Sequence, residues 1–192
     1  IMKLKNGGWS FGGNLPNKFE NHITKSVPHY LEGHQMIVRL SDYFLKERSV
    51  CYDIGCSTGN LLKKISAYSS KEKIKLIGIE KEKKMYNYAK SQINNKKIKL
   101  LNKDFKGIKL VKSDMIISYY TIQFIAPSIR QSILNKIFKS LNWGGAFIMF
   151  EKIRGNDARF HDILNSLYLD FKEDNRLNTQ HIINKSKSLR GI

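Results

Sequence analysis

The chain has 192 residues and a formal net charge of +18, from 34 Lys and Arg against 16 Asp and Glu. This length suits one domain with a real core, no apolar run comes close to the roughly 18 residues that a membrane span needs, and the polar N-terminus lacks the apolar stretch of a signal peptide. Cys51 and Cys56 have neither disulfide-framework nor metal-ligand spacing, so we expect reduced thiols, no bound metal and a cytoplasmic protein without membrane contact.

The first part of the chain is predicted to be helical. Apolar residues recur at helix spacing through residues 18–47, with a break at Pro28. We expect residues 1–48 to form a helical lid and residues 49–192 to form an α/β core, within one domain overall.

The next segment has the pattern of a buried strand that ends in a glycine loop. Residues 50–54 are a short apolar run, Gly55 and Gly59 come directly after it, and a helix-like stretch begins at Asn60. Gly55 allows a sharp turn or a close approach to a ligand, and Gly59 allows the helix to start close to the sheet. Asp53 lies in the apolar strand, where a buried carboxylate needs a partner. The spacing lacks the third glycine of a dinucleotide fingerprint and the Lys of a P-loop, so it favours a nucleoside-binding loop.

The rest of the chain alternates between strands and helices. Further strands are predicted at residues 73–79, 97–101, 114–118 and 146–150, and helices at residues 60–69, 83–94, 128–141 and 157–171. The last strand is expected to follow a Gly144-Gly145 turn. This alternation predicts an α/β fold with a Rossmann-like, doubly wound and mostly parallel sheet, covered by helices on both faces.

The residues just after each strand are the site candidates, because ligands of such sheets bind at the carboxyl ends of the strands. After the second strand, Glu80 can accept hydrogen bonds from both hydroxyls of a ribose. After the third strand, Asp104 can accept from an adenine amino group, with the Phe105 backbone recognising the ring edge. Tyr119 and Tyr120 follow the fourth strand. The plain structural alternatives are a helix-start acid for Glu80, a surface acid for Asp104, helix packing for Gly59, loop filling for Cys56 and aromatic packing for Tyr119 and Tyr120.

Two levels of family resemblance follow from these motifs. Asp53, Gly55 and Gly59 resemble the first motif of the class I S-adenosylmethionine-dependent methyltransferases. The chain is more narrowly similar to the carboxy-S-adenosylmethionine synthases of bacterial tRNA wobble-uridine modification, over about residues 18–190. The segments that carry this likeness are Ser26-Val-Pro-His-Tyr30, Thr121-Ile-Gln-Phe124, Leu141-Asn-Trp-Gly-Gly-Ala146, Glu151-Lys152 and Asp170-Phe171-Lys172.

The resemblance implies S-adenosylmethionine, or its carboxylated form, as cofactor. Tyr30 would close over it, the backbone of residues 55–57 would hold its amino-acid end, and Glu80 with Lys81 would face the ribose. The family enzymes are homodimers that take a carboxyl unit from prephenate. The expected cofactor-binding residues are Tyr30, Asp53, Gly55, Cys56, Ser57, Gly59, Glu80, Lys81, Asp104, Phe105 and Tyr119. The expected substrate residues are Tyr120, Gln123, Lys187 and Arg190.

Some positions depart from the family's pattern. Tyr119 stands where family members have Asn, and Glu80-Lys81 stands where they have Asp-Asn, a change that keeps the carboxylate. The arginine that grips the extra carboxylate in the family aligns with Ser186, with Lys187 and Arg190 close by. Family members also run on beyond the end of this sequence, so we expect the last strands of the sheet to be missing.

Three functions are compatible with these features. The cofactor loop is intact, but the arginine that binds the extra carboxylate in the family is not evident. This combination favours an S-adenosylmethionine-dependent methyltransferase that acts on a small molecule or nucleotide. No catalytic base can be named for it. The alternative is a carboxy-S-adenosylmethionine synthase that uses prephenate, with Lys187 or Arg190 in the arginine's place. The second alternative is a non-enzymatic module whose basic surface binds RNA or a partner subunit, whereas a codon bias towards Lys, Asn and Ile would explain the charge without any partner.

Overall fold

A computed structural model describes residues 15–177 and residue 183 of the chain. Its helices are α1 (Leu15–Ser26), α2 (Tyr30–Phe44), α3 (Asn60–Tyr68), α4 (Lys83–Gln92), α5 (Pro127–Ser140) and α6 (Ala158–Asp174). Its strands are β1 (Val50–Ile54), β2 (Lys75–Glu80), β3 (Ile98–Asn102), β4 (Ser113–Tyr119) and β5 (Leu141–Phe150). Two short 3-10 helices, Phe105–Gly107 and Ile122–Phe124, lie outside the predicted elements.

The five strands form one parallel sheet in the order β3-β2-β1-β4-β5. The chain moves outward from β1 first in one direction and then in the other, so a topological switch point lies between β1 and β4. The carboxyl ends of all five strands meet at one edge, because the strands are parallel. The predicted Rossmann-like, doubly wound α/β fold is confirmed.

Helices cover both faces of the sheet. One apolar cluster includes Ile37 of α2, Leu62 of α3 and Met115 of β4. The other includes Ile116 of β4 and Ile137 of α5. Met115 and Ile116 are consecutive, so they point to opposite faces. Ile37 is fully buried, so α2 packs on the same core as the sheet, while a lid boundary at residue 48 stays a prediction. Each helix of the described residues is too short or too polar to cross a lipid bilayer.

Two boundaries test the turn predictions. The break at Pro28 is confirmed, since α1 ends before it and α2 begins after His29, whose φ is 55°. The predicted turn at Gly144-Gly145 is wrong, because both glycines lie within β5. β5 already begins at Leu141, its register against β4 shifts between Ser113 and Met115, and Gly144 has a φ of 75°. The two glycines therefore form a bulge within a longer strand.

Candidate active site

The predicted site residues of the described part of the chain lie along the edge where β1 to β4 end. Asp53 is the second-last residue of β1, and the loop of residues 55–59 follows this strand. Glu80 is the last residue of β2. Asp104 lies shortly after β3, and Tyr119 ends β4. Because β1 lies between β2 and β4, its loop is flanked by the other candidates on both sides.

Asp53 is a buried carboxylate, with 2% of its surface exposed. Within residues 15–177, no hydrogen-bond donor reaches its side chain. Burial, and secondarily the negative charge of Glu80, raises the pKa of Asp53 from 3.8 to about 7. A nearby cation would favour its ionised form, so this position suits the positively charged part of a ligand.

The glycine loop uses its N–H groups within the protein. The backbone N–H groups of Gly55 and Cys56 both donate to the Ile79 carbonyl oxygen, with N···O distances of 2.8 and 3.1 Å. The Ser57 N–H donates to a carboxylate oxygen of Glu80 at 2.9 Å. Among the described residues, no donor occupies the carbonyl oxygens of Gly55 and Ser57. The loop therefore leaves these two carbonyl oxygens available to a ligand.

The side chains of the loop differ in what they leave unsatisfied. Ser57 has a φ of 52°, and its buried Oγ has no hydrogen-bond partner in the described part of the chain. Buried polar atoms are normally hydrogen-bonded, so the unsatisfied Ser57 Oγ indicates a position where a bound molecule could form a hydrogen bond. Cys56 instead packs into the apolar core. A Cβ at Gly59 would lie 2.5 Å from Ile93 Cδ1, so Gly59 permits close packing of α3 against the end of α4.

Glu80 anchors the loop and keeps acceptor capacity. Its Oε2 accepts from Ser57 and its Oε1 accepts from the backbone N–H of Glu82 at 2.8 Å. Only 8% of the residue is exposed, and burial raises the pKa of its carboxyl group. Each oxygen retains a lone pair for a ribose hydroxyl. Lys81 is exposed, and Asn102, which the sequence analysis did not single out, donates to the carbonyl oxygens of Glu80 and Lys81 at 2.9 and 3.1 Å.

The adenine candidates have distinct environments. Asp104 is exposed, and its Oδ1 accepts from the Lys106 backbone N–H at 2.9 Å. The Phe105 ring is buried in the core, with Lys136 Nζ 5.1 Å from the ring centroid. The Phe105 carbonyl oxygen accepts from Lys136 Nζ and from the Ile108 N–H. Among the described residues, no acceptor takes the Phe105 backbone N–H, and its contact with an adenine ring edge stays a prediction.

An aromatic cluster lies where α2 meets the ends of β4 and β5. The Tyr119 ring lies at its centre, and four other ring centroids lie 4.8 to 5.1 Å from that of Tyr119: those of Tyr30, His34, Tyr120 and Phe150. Tyr119 O–H donates to the Tyr30 carbonyl oxygen at 2.6 Å. Burial, and then the charge of a nearby lysine, lowers the pKa of His34 to about 3, so this imidazole is neutral. The cluster joins the N-terminal helices to the sheet beside the loop.

Glu151, directly after β5, also lies at this edge of the sheet, although the sequence did not single it out as a site residue. Glu151 accepts from the backbone N–H groups of Ile122 and Gln123 at 2.8 and 3.2 Å, and so shapes the turn after β4. Its only sequence signal is its place in the Glu151-Lys152 segment of the family likeness. The predicted substrate residues Lys187 and Arg190 lie outside the described residues.

Comparisons with known proteins agree with this arrangement. Residues 51–145 match a family model described as a methyltransferase domain. A carboxy-S-adenosyl-L-methionine synthase of Staphylococcus epidermidis is 37% identical over 185 residues, which are 96% of this chain and 81% of that protein. The chain belongs to the carboxy-S-adenosylmethionine synthase family. A relative of the same name from Campylobacter lari is 28% identical over 96% of this chain and 79% of its own length. The chain is therefore an S-adenosylmethionine-dependent transferase.

Solved structures support the fold. An S-adenosylmethionine-dependent methyltransferase from Aquifex aeolicus has a TM-score of 0.54 at 21% identity, covering 81% of this chain and 86% of that one. A plantazolicin methyltransferase in complex with S-adenosylhomocysteine has a TM-score of 0.51 at 20% identity, covering 67% of this chain and 48% of that one. These similarities concern the architecture alone.

The residues at the sheet edge fit the cofactor of this synthase family. S-adenosylmethionine carries an ammonium group, a ribose and an adenine. Asp53 and the carbonyl oxygens of Gly55 and Ser57, which accept no hydrogen bond within the described residues, are acceptors suited to the ammonium group. Ser57 Oγ, which has no partner within the described residues, and the remaining lone pairs of Glu80 are further sites for hydrogen bonds to the ligand. Their individual contacts with the cofactor stay predictions.

Proposed function

We propose that this protein makes carboxy-S-adenosylmethionine from S-adenosylmethionine and prephenate. The observation that carries the proposal is the 37% identity with a synthase over 96% of the chain, which extends well beyond the methyltransferase domain of residues 51–145. The order of preference predicted from the sequence, with methyl transfer first, is thereby reversed. A methyltransferase on a small molecule or nucleotide becomes the second candidate.

The proposed roles follow the chemistry of each side chain. Asp53 and the Gly55 and Ser57 carbonyl groups hold the amino-acid end of the cofactor, and Glu80 accepts from the ribose hydroxyls. When bound, S-adenosylmethionine supplies the sulfonium-activated methyl carbon that receives the carboxyl unit. Tyr30, whose phenol group interacts electrostatically with Asp53, covers the site from α2 and limits the access of water.

The reaction balances without a further reactant. Prephenate loses one carboxyl group and its ring hydroxyl and leaves as the aromatic phenylpyruvate. The S-methyl carbon loses a proton and gains the carboxyl unit, and the proton leaves with the hydroxyl as water. The protein must therefore hold two ligands side by side and in the correct orientation, which is the main contribution that positioning makes to such a reaction.

The test uses prephenate labelled with ¹³C in its ring carboxyl group. The purified protein is incubated with S-adenosylmethionine and this prephenate, and the products are analysed by liquid chromatography and accurate mass. We expect a labelled species heavier than S-adenosylmethionine by one CO2 unit, together with phenylpyruvate. Lys97→Ala is the control for cofactor binding. If this variant and the wild type bind S-adenosylmethionine equally but both reactants are recovered unchanged, the proposal is contradicted.

A homodimer is part of the proposal, supported by α6. Four apolar side chains at helix spacing on one side of this helix are 44 to 60% exposed. They are Phe160, Ile163, Leu164 and Leu167. An exposed apolar stripe of this kind is typical of a protein contact, and we assign it to a second copy of the chain. Light scattering should give a dimer mass for the wild type and a monomer mass for Leu164→Glu; a monomeric wild type would contradict this assignment.

We further place the proposed product in cytoplasmic tRNA wobble-uridine modification. Both cysteines are free and buried, which suits a reducing compartment. In this proposal the small molecule passes to the tRNA-modifying step, so the synthase itself needs no tRNA. Filter binding to tRNA across a salt series tests this, because a functional polyanion site would bind at physiological salt and weaken steeply as salt rises.

A further inference from the structure

One lysine of α5 holds the turn that follows β3. The Lys136 ammonium group donates to three backbone carbonyl oxygens, with N···O distances of 2.7 to 3.1 Å. They are those of Phe105, Lys106 and Ile108. A lysine ammonium group has three N–H donors, so these acceptors use all of them. The side chain therefore fastens a loop that lies at least 28 residues earlier in the chain.

The turn held by Lys136 is the 3-10 helix Phe105–Gly107 with its flanking residues Asp104 and Ile108. At its start, Asp104 Oδ1 accepts from the Lys106 N–H at 2.9 Å. At its end, the carbonyl groups of a short helix lack partners within the helix. In the described part of the chain, the Lys106 and Ile108 carbonyl oxygens accept from Lys136 alone. A cation at this end of a helix is also electrostatically favourable.

The Phe105 side chain ties the turn to the same part of α5. Its buried ring belongs to one apolar cluster with Ile133 and Ile137 of that helix. Lys136 Nζ lies 5.1 Å from the ring centroid, within the range of a cation–π attraction. Both the ring and the carbonyl group of Phe105 are thus held from α5. The direction of the Phe105 backbone N–H, which no acceptor takes within the described residues, is thereby fixed.

We propose that Lys136 is a positioning residue for recognition of the cofactor's adenine. It holds the Phe105 N–H and the Asp104 carboxylate in the arrangement that matches an adenine edge, where N1 accepts a hydrogen bond and the 6-amino group donates one. The proposal rests on the adenine role expected of these two residues within the proposed synthase. Lys136 itself acts through the turn, because its three donors are taken by the protein.

The test compares the binding of S-adenosylhomocysteine and S-inosylhomocysteine by titration calorimetry. The inosine ring has a donor at N1 and an acceptor at position 6, the reverse of adenine, so the wild type should bind it about 100-fold more weakly. Lys136→Met removes the three donors and should lower this ratio of Kd values about tenfold, because a turn that can shift no longer rejects the wrong ring edge. Lys136→Arg, which keeps charged donors, should retain most of the ratio. The control Lys139→Met, an exposed lysine of the same helix, should leave it unchanged.

A purely structural role of Lys136 gives a different result. In that case Lys136→Met would lower the melting temperature while the ratio of the two Kd values stayed at the wild-type value, and this outcome would overturn the proposal. Lys136→Gln, whose shorter, uncharged side chain has two N–H donors, is judged by the same ratio if Lys136→Met does not fold. Equal binding of both ligands to the wild type would overturn the proposal as well. Neither ligand has a methyl group to react, so a failure to form carboxylated product would refute the synthase reaction without affecting this test.

Discussion

We propose that Asp53 holds the ammonium group of S-adenosylmethionine, and we therefore predict that its ionisation links the pH of the solution to cofactor binding. Burial raises the pKa of this carboxyl group to about 7. The ammonium group of S-adenosylmethionine attracts only the ionised carboxylate, so binding below about pH 7 must release the proton. We therefore predict that the affinity for S-adenosylmethionine rises with pH up to about 7, and that Asp53→Asn weakens binding and removes most of this dependence.

The magnitude follows from the ionised fraction of Asp53. With a pKa of about 7, about half of the carboxyl groups are ionised at pH 7 and about 1% at pH 5, so the apparent affinity should fall about 50-fold between these values. The pKa of Glu80 is also raised by burial, so its protonation adds to the loss at the acid end. Tyr30 stays neutral over this range, because burial raises its pKa. The ammonium group of the cofactor stays charged until about pH 7.7.

The raised pKa of Asp53 also makes the stability of the cofactor-free protein depend on pH. Because the pKa of Asp53 is higher in the folded than in the unfolded state, its contribution to the free energy of unfolding is present below about pH 4 and is lost as the pH rises to about 7. Asp53→Asn removes this buried charge. The variant should therefore be more stable than the wild type at about pH 8 while binding the cofactor more weakly.

The assay is titration calorimetry with S-adenosylmethionine at constant ionic strength, in steps between about pH 5 and pH 7. Urea unfolding of the cofactor-free proteins gives the stability. Asp162→Asn is the matched control, since Asp162 is exposed on α6. A pH profile that is the same for the wild type and Asp53→Asn would refute the reasoning, because the dependence would then come from another group.

Three further predictions concern the loop, the ribose and the α2 contact. Gly55→Val should abolish S-adenosylmethionine binding in calorimetry, because Gly55 has a φ of 73° and a side chain there would collide with Thr121. The control Lys97→Ala should bind normally. Equal losses of binding in both variants would refute the placement of the site. Glu80→Ala should weaken binding by about 1–3 kcal/mol, the cost of unpaired ribose donors, and a normal Kd would return Glu80 to a purely structural role. Tyr119→Phe should lower the free energy of unfolding in urea by about 0.5–1.5 kcal/mol through loss of its hydrogen bond to Tyr30, and an equal loss in Tyr43→Phe, an exposed tyrosine of α2, would contradict this.

The elements with strong local patterns were predictable. The apolar run of residues 50–54 and the two glycines after it specify a buried strand and a tight loop without help from the rest of the chain. The Gly144-Gly145 pair misled the prediction, because a glycine pair is typical of a turn and only pairing with β4 makes it a bulge.

The hydrogen bonds of the site were beyond prediction from sequence. The N–H groups of Gly55 and Ser57 donate to Ile79 and Glu80, which are more than twenty residues away in sequence, so no local rule gives their direction. The contact of Lys152 with Tyr168 likewise joins the end of β5 to α6. Such contacts depend on how whole elements pack, and periodicity within one element carries no information about them.

The most direct test of the synthase assignment is native mass spectrometry of the protein as purified from cells, followed by accurate mass of the small molecule released on denaturation. The account predicts a bound species heavier than S-adenosylmethionine by one CO2 unit. S-adenosylhomocysteine, the product of methyl transfer, as the bound species without any carboxylated form would contradict it.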